Sequence, residues 1–213
     1  MQGNASEATG IVYRCKGANT SLNAVSGSQT TSPVSELSSV ARITVFTSDR
    51  APLCKRFTLS GDTIRKETLA TLYQGTAQVI EVGTAAALNR ALDALHHKQA
   101  IATGVLKHGD SAQIGTAAQG ASVARSLEHF HFDSGAGWLL WDYDAGTMPQ
   151  NVAARVEKLG GPLAALLHIW PEARTAAHVV RPSSSDGIAA KDLPPTQSEG
   201  LHGFFLVSDV ARS

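Results

Sequence analysis

Charge is scarce in this chain of 213 residues: Asp, Glu, Lys and Arg make up 17% of it, and 18 cations balance 18 anions. That neutrality argues against a broad, non-specific nucleic-acid surface but leaves room for a local basic groove. Cysteine is scarcer still, with only Cys15 and Cys54. Two thiols far apart make no disulfide framework, and a reducing cytoplasm is the expected compartment. No apolar run of about 18 residues occurs, and the opening "MQGNASEATG" has neither a basic start nor an apolar core, so neither a membrane span nor a secretory signal is expected. Several signatures are missing too: there is no GxxxxGK(S/T), no GxGxxG after a strand, no GxSxG and no paired CxxC.

What is present is a globular composition, 43% apolar, long enough for one sizeable α/β domain or for one domain carrying a tail. From Met1 to about Val40 the chain is rich in Ser, Thr, Asn and Gly with little to bury, and residues 1–40 read as a disordered leader before a domain at 41–213. Patterning begins at "ARITVFTS", with a strand over Ile43–Thr47. "CKRFTLSGDTIRKETL" predicts two strands around a Ser60-Gly61-Asp62 turn, and "TAQVIEV" predicts another strand. "TAAALNRALDALHHK" predicts a helix with Leu88, Leu92 and Leu95 on one face, Thr84 as its cap and His96-His97 closing it, where cations suit the dipole. "QAIATGVL" reads as a single strand. Further on, two short helices should be split by Gly160-Gly161 and ended by Pro171, before "TAAHVVRPSSSDG", a strand running into a loop, and a last strand from about Leu201 to Val207. Strands alternating with helices predict an α/β or α+β domain, a central mixed sheet with flanking helices.

"GWLLWDYD" places two carboxylates directly after the most hydrophobic short run in the chain. On a strand, residues i and i+2 share a face, so Asp142 and Asp144 should stand roughly 6–7 Å apart at the backbone. Such a pair repels itself unless a cation lies between, and carboxylates are the hard oxygen ligands that Mg²⁺ and Mn²⁺ prefer. The apolar run would then be a buried central strand that delivers the acids to the sheet edge, although two acids after a strand also suit a solvated turn. In "GLHGFFLVSD", His202 enters an apolar strand two residues after Gly200, a glycine that would let a phosphate approach the backbone. A satisfied, partly buried histidine is the plainer reading of the same residue.

Taken in order, "GWLLWDYD", "VVRPSSSDGI" and "GLHGFFLVSD" resemble the archaeo-eukaryotic primase superfamily, in particular the primase-polymerase domains of bacterial plasmids, phages and integrative elements. In that family an hhhDhD strand is followed by a small-x-His strand and then by a third carboxylate. "KRFTLSGDTI", "GTAQVIEV", "QAIATGVL" and "RSLEHFHF" extend the resemblance upstream, so that it covers roughly Ala41 to Ser213. It implies an RRM-like catalytic core in which Asp142 and Asp144 bind the metal and His202 contacts the phosphates of the incoming nucleotide. Arg181, Ser183, Ser185 and Gly200 take nucleotide- or template-binding places, Arg being suited to phosphate by its planar fork. The implied activity is DNA primase or polymerase nucleotidyl transfer in mobile-element replication, with Mg²⁺ or Mn²⁺ as cofactor. The implied partners are a DNA template, nucleoside triphosphates and a replicative helicase. Asp209 is the only acid after His202 and follows it too closely for the third carboxylate, so the resemblance further implies an N-terminal portion with its C-terminal part missing, or compromised catalysis.

Two alternatives stay open. In "HFHFDS", strand alternation would put His129, His131 and Asp133 on one face, a zinc-hydrolase-like cluster in which Ser134 stands where a further histidine would be needed. The other is a non-catalytic nucleic-acid-binding module. Between Ala41 and Ala70, Arg42, Arg50, Lys55, Arg56, Arg65 and Lys66 outnumber Asp49, Asp62 and Glu67, a modest basic patch that could meet a template backbone or could simply be a solvated hairpin.

Overall fold

The structure, a computed structural model, describes residues 11–14, 40–60, 63–69, 72–116, 123–144, 146, 148–183 and 200–209. Among the described residues it is a mixed α+β fold of small antiparallel sheets with three α-helices. Strand β2 (Arg42–Ser48) lies in a four-stranded sheet, between β6 (Gln99–Ala102) on one side and β5 (Gln74–Glu81), then β8 (Ser111–Gly115), on the other. The second sheet has β12 (Leu201–Val207) at its centre, flanked by β10 (Gly137–Tyr143) and β11 (His178–Pro182). The third holds β1 (Ile11–Arg14), β3 (Lys55–Ser60) and β4 (Thr63–Thr68), and a short ribbon joins β7 (Val105–Leu106) to β9 (Phe130–His131).

One central mixed sheet was expected; instead every pairing between these strands is antiparallel. The reason is that each helical crossover is split by an inserted strand. Helix α1 (Ala85–Asp93) carries the chain from β5 to β6, which run the same way, but β2 lies between them. In the same way α2 (Gln150–Lys158) and α3 (Pro162–Ile169) connect β10 to β11, and β12 separates the two. Strands of like direction are therefore never neighbours, as in split β-α-β units.

Burial explains the layering. Strand β2 is covered on both faces: Ile43 joins Leu88, Leu92 and Leu95, from α1 and just beyond it, and Trp138, Val179 and Phe204 from the second sheet, whereas Phe46 packs with Ala77, Val79, Ile114 and Phe130 on the other side. Helix α1 is thus wedged between two sheets by its leucine face. Thr84 caps it as expected, its side chain accepting the Ala87 N–H at 3.1 Å. The helix stops at Asp93 instead of running through His96-His97, because N–H groups that would continue it are taken by side chains: that of His96 donates to Gln99 Oε1 and that of Lys98 to His96 Nδ1. The histidine pair consequently lies in the connection that follows the helix.

Other differences have local causes. "QAIATGVL" breaks into β6 and β7 because the chain leaves β2 at Gly104, whose carbonyl accepts the hydroxyl of the buried Thr44 at 2.7 Å, to pair with β9. Strand β8 sits in a polar stretch at the edge of its sheet, and its exposed residues hid it. Ile11–Arg14 pairs with β3 inside the stretch expected to be a disordered leader; the rest of residues 1–39 lies outside the described residues. Ser60 pairs with Thr63 at the end of the β3–β4 ladder, and Gly61 and Asp62 of the expected turn lie outside the described residues. Gly160 and Gly161, with φ of 94° and 99°, divide α2 from α3 as expected, and Pro171 opens a 3₁₀ turn after the second helix. Cys54 is buried and Cys15 lies outside the described residues. No helix among the described residues is long and apolar enough to cross a membrane.

Candidate functional site

The register of the second sheet assembles the site. Pairing of β10 with β12 sets Asp142 opposite His202, and pairing of β12 with β11 sets His202 opposite Arg181. Three residues picked from separate stretches of sequence therefore stand in one row across three strands, on one face. His202 Nε2 lies 3.2 Å from Asp142 Oδ1, an ion pair whenever the imidazole is protonated, with side-chain exposures of 13% and 56%. Asp144 follows two residues further on, just beyond the end of β10, and its Oδ1 accepts the Gly146 N–H at 3.0 Å.

The strand carrying the acids differs from expectation. It is an edge strand rather than a central one, and only its first part is buried: Trp138 is fully covered and donates its indole N–H to the Val82 carbonyl at 2.7 Å, whereas Leu140, on the acid face, is 49% exposed. The opposite face is aromatic. Trp141 lies over Gly203, its cross-strand partner, and Phe205 packs between Trp170 and His178, with ring centroids at 5.5 Å and 5.3 Å. The polar row occupies one end of the face that Trp138, Phe204 and Val179 pack against β2 and α1, and the aromatic rings cover the opposite face.

Arg181 is held from above by α1. Its Nη2 donates to Asn89 Oδ1 and to Asp93 Oδ1, each at 2.7 Å, and to the Asn89 carbonyl at 3.2 Å, while Nε donates to Asn89 Oδ1 at 3.2 Å. Neither Asn89 nor Asp93 was picked out from sequence. The available signal was a pair of polar side chains one turn apart, each directly after a core leucine, in a helix otherwise dominated by Ala and Leu. Gly200 also departs from expectation: a Cβ there would meet Ser183 Cβ at 3.0 Å and the Tyr143 carbonyl oxygen at 3.3 Å, so protein atoms fill the space a phosphate was expected to use. Ser183 is buried and its N–H donates to the Gly200 carbonyl at 2.8 Å, which extends the β11–β12 pairing by one position. Ser185 lies outside the described residues. Asp209 is seven residues past His202 along β12 and beyond, about 23 Å at strand rise, at the opposite end of the sheet from the acids.

Two carboxylates two residues apart, with neither Arg nor Lys paired to them among the described residues, are oxygen ligands of the kind a hard divalent cation takes. They do not make a complete cage, since no group of three His, Cys, Asp or Glu converges as a metal site among the described residues. That finding bears on the zinc-hydrolase alternative as well. Asp133 is gripped by Arg42, whose Nε and Nη2 each donate to one of its oxygens at 2.9 Å, and His131 Nε2 is 3.5 Å from Asp133 Oδ1. His129 precedes the two-residue strand β9 and lies instead 3.9 Å from Glu128 Oε2. The hydrogen bond from Arg42 to Asp133, reinforced by the charges of Asp133, Asp110 and Glu81, raises the guanidinium pKa further above its usual value against the opposing effect of burial. The basic hairpin forms as β3 and β4, where Arg56 pairs with Glu67 and Arg65 and Lys66 are exposed.

Compared with models of known protein families, with curated proteins and with solved structures, the chain matches none.

Proposed function

We propose that this chain is a primase-polymerase-type nucleotidyltransferase that joins nucleoside triphosphates on a DNA template. One observation carries the reading: Asp142 and His202 come from two motifs far apart in sequence, yet they lie directly opposite each other, 3.2 Å apart. Asp142 and Asp144 would hold Mg²⁺ or Mn²⁺. When bound, a pair of such ions polarises phosphoryl oxygens and clamps the attacking and leaving groups of an in-line displacement. His202, with 13% of its side chain exposed, would bring its imidazole to the phosphates beside the acids, and Arg181 would stand at the next position of the row. Acid, imidazole and guanidinium lie in line, with the acid at the exposed end of the row.

The test is Mn²⁺-dependent nucleotide incorporation on primed and unprimed templates, with Asp142→Ala and Asp144→Ala alongside the unmodified chain. Incorporation should disappear in both variants. Activity that survives both substitutions would sink the assignment.

A further inference from the structure

Next to the polar row, on the same face of the sheet, runs a row of Leu140, Phe204 and Val179. Phe204 and Val179 are 7% and 9% exposed, packed with residues of β2 and α1, but this cover ends before the edge strand and Leu140 is 49% exposed. Edge strands are usually guarded by charge or proline. Here a leucine stands bare two residues before Asp142 on the same face, roughly 6–7 Å away along the strand. The backbone beside it is open as well. The Ser183 N–H donates to the Gly200 carbonyl and the Leu206 N–H to that of Ala177, so the even-numbered residues of β12 turn their peptide groups to β11 and the odd-numbered ones turn theirs to β10. Gly203 therefore bonds with Trp141, its opposite number, and the N–H and C=O groups of Leu140 and Asp142 point off the sheet, with no backbone partner among the described residues.

The other directions from Asp142 differ in kind. Toward β11 the row passes His202 and ends at Arg181, which is 11% exposed and already matched by Asp93. Toward the end of β10 stands Asp144, a second carboxylate. A cation-bound phosphate belongs with carboxylates, whereas an uncharged sugar gains more from an apolar neighbour. We infer that Leu140 is a substrate-contact residue: the sugar ring of a nucleoside triphosphate whose phosphates are held at Asp142 lies against the Leu140 side chain. The C–H surface of the ring covers the leucine, and its hydroxyl meets the open peptide groups at the β10 edge. This rests on the nucleotidyltransferase reading of the site and adds to it the contact that favours a nucleotide over a bare phosphate chain.

The experiment is calorimetric titration of the full chain with dATP and, separately, with inorganic triphosphate, both in Mg²⁺. The unmodified chain should bind dATP more tightly than triphosphate. Leu140→Ala and Leu140→Thr, which remove the apolar surface from an exposed position, should each weaken dATP binding by about three- to tenfold, as expected for covering half a leucine. Their affinity for inorganic triphosphate should not change. Leu140→Met, which keeps the apolar volume, should bind dATP like the unmodified chain. If Leu140→Ala and Leu140→Thr lose affinity for both compounds equally, or for neither, the leucine makes no contact with the sugar and the inference fails by itself. If the unmodified chain binds no dATP, the nucleotidyltransferase reading fails and takes the inference with it.

Discussion

Substituting Gly203 with Ala probes the aromatic face that backs the site. Gly203 is the cross-strand partner of Trp141, and a Cβ at this position would lie 2.7 Å from Trp141 Cε3 and 2.9 Å from Phe205 Cε2. Both contacts fall well inside van der Waals range, and neither ring can easily withdraw. Phe205 is fully buried between Trp170 and His178, and Trp141 is fixed in β10 one residue before Asp142. Overpacking of this kind costs about 1–3 kcal/mol. Replacing Gly by Ala also stiffens the unfolded chain, which returns about 0.4–1 kcal/mol. The net loss should be about 1–2 kcal/mol, a fall in melting temperature of roughly 2–8 °C for a domain of this size. Urea unfolding followed by tryptophan fluorescence should show a lower midpoint with an unchanged slope. Repeating the substitution in a Trp141→Ala background provides the decisive comparison. Without the larger ring the cost should shrink, giving a coupling of about 0.5 kcal/mol or more. An equal cost in both backgrounds, or no cost at all, would refute the steric reasoning.

Other outcomes follow from single contacts. Thr84→Ala removes the acceptor of the Ala87 N–H and should cost about 1 kcal/mol, while Thr84→Ser, read in the same urea titration, should cost little. Arg42→Gln breaks the two-toothed grip on Asp133 and, at a partly exposed site, should cost about 1–2 kcal/mol in thermal unfolding. That contribution should be flat from pH 6 to pH 9. A group whose pKa is raised on folding stabilises fully below its unfolded value and loses this only as pH climbs through the folded one, and for Arg42 both lie above any working pH. A cost of Arg42→Gln that changes across this window would contradict the assignment.

Much of this fold is legible because its periodicities are strong. The leucines of α1, the alternation in β2 and the glycine pair between α2 and α3 each announce an element whose physical cause is local. Two elements escaped: β8 is a polar edge strand, and β1, although its Ile-Val-Tyr run favours a strand, stands in a polar stretch and pairs with the distant β3. The helix end was misplaced because the His96 and Lys98 N–H groups donate to the side chains of Gln99 and His96 rather than to helical carbonyls, a choice that leucine periodicity does not report. The same division runs through the site. Asp142, Asp144 and His202 could be chosen as residue types in plausible strands, but the row that aligns two of them with Arg181 is a matter of register. Register depends on which faces are buried, and this emerges only when the sheets pack. The Arg181 holder was least legible of all, since Asn89 and Arg181 are 92 positions apart.

That distance has a consequence for the order in which the chain becomes competent. Ordering α1 alone leaves Asn89 and Asp93 with nothing to grip, and ordering β10 alone leaves Asp142 without its imidazole. Pairings between distant segments must pay loop-closure entropy before they return any contact energy, so they tend to form late. The polar row is consequently a property of the finished molecule: a chain stalled with its local helices and hairpins in place would carry every residue of the site and present none of it.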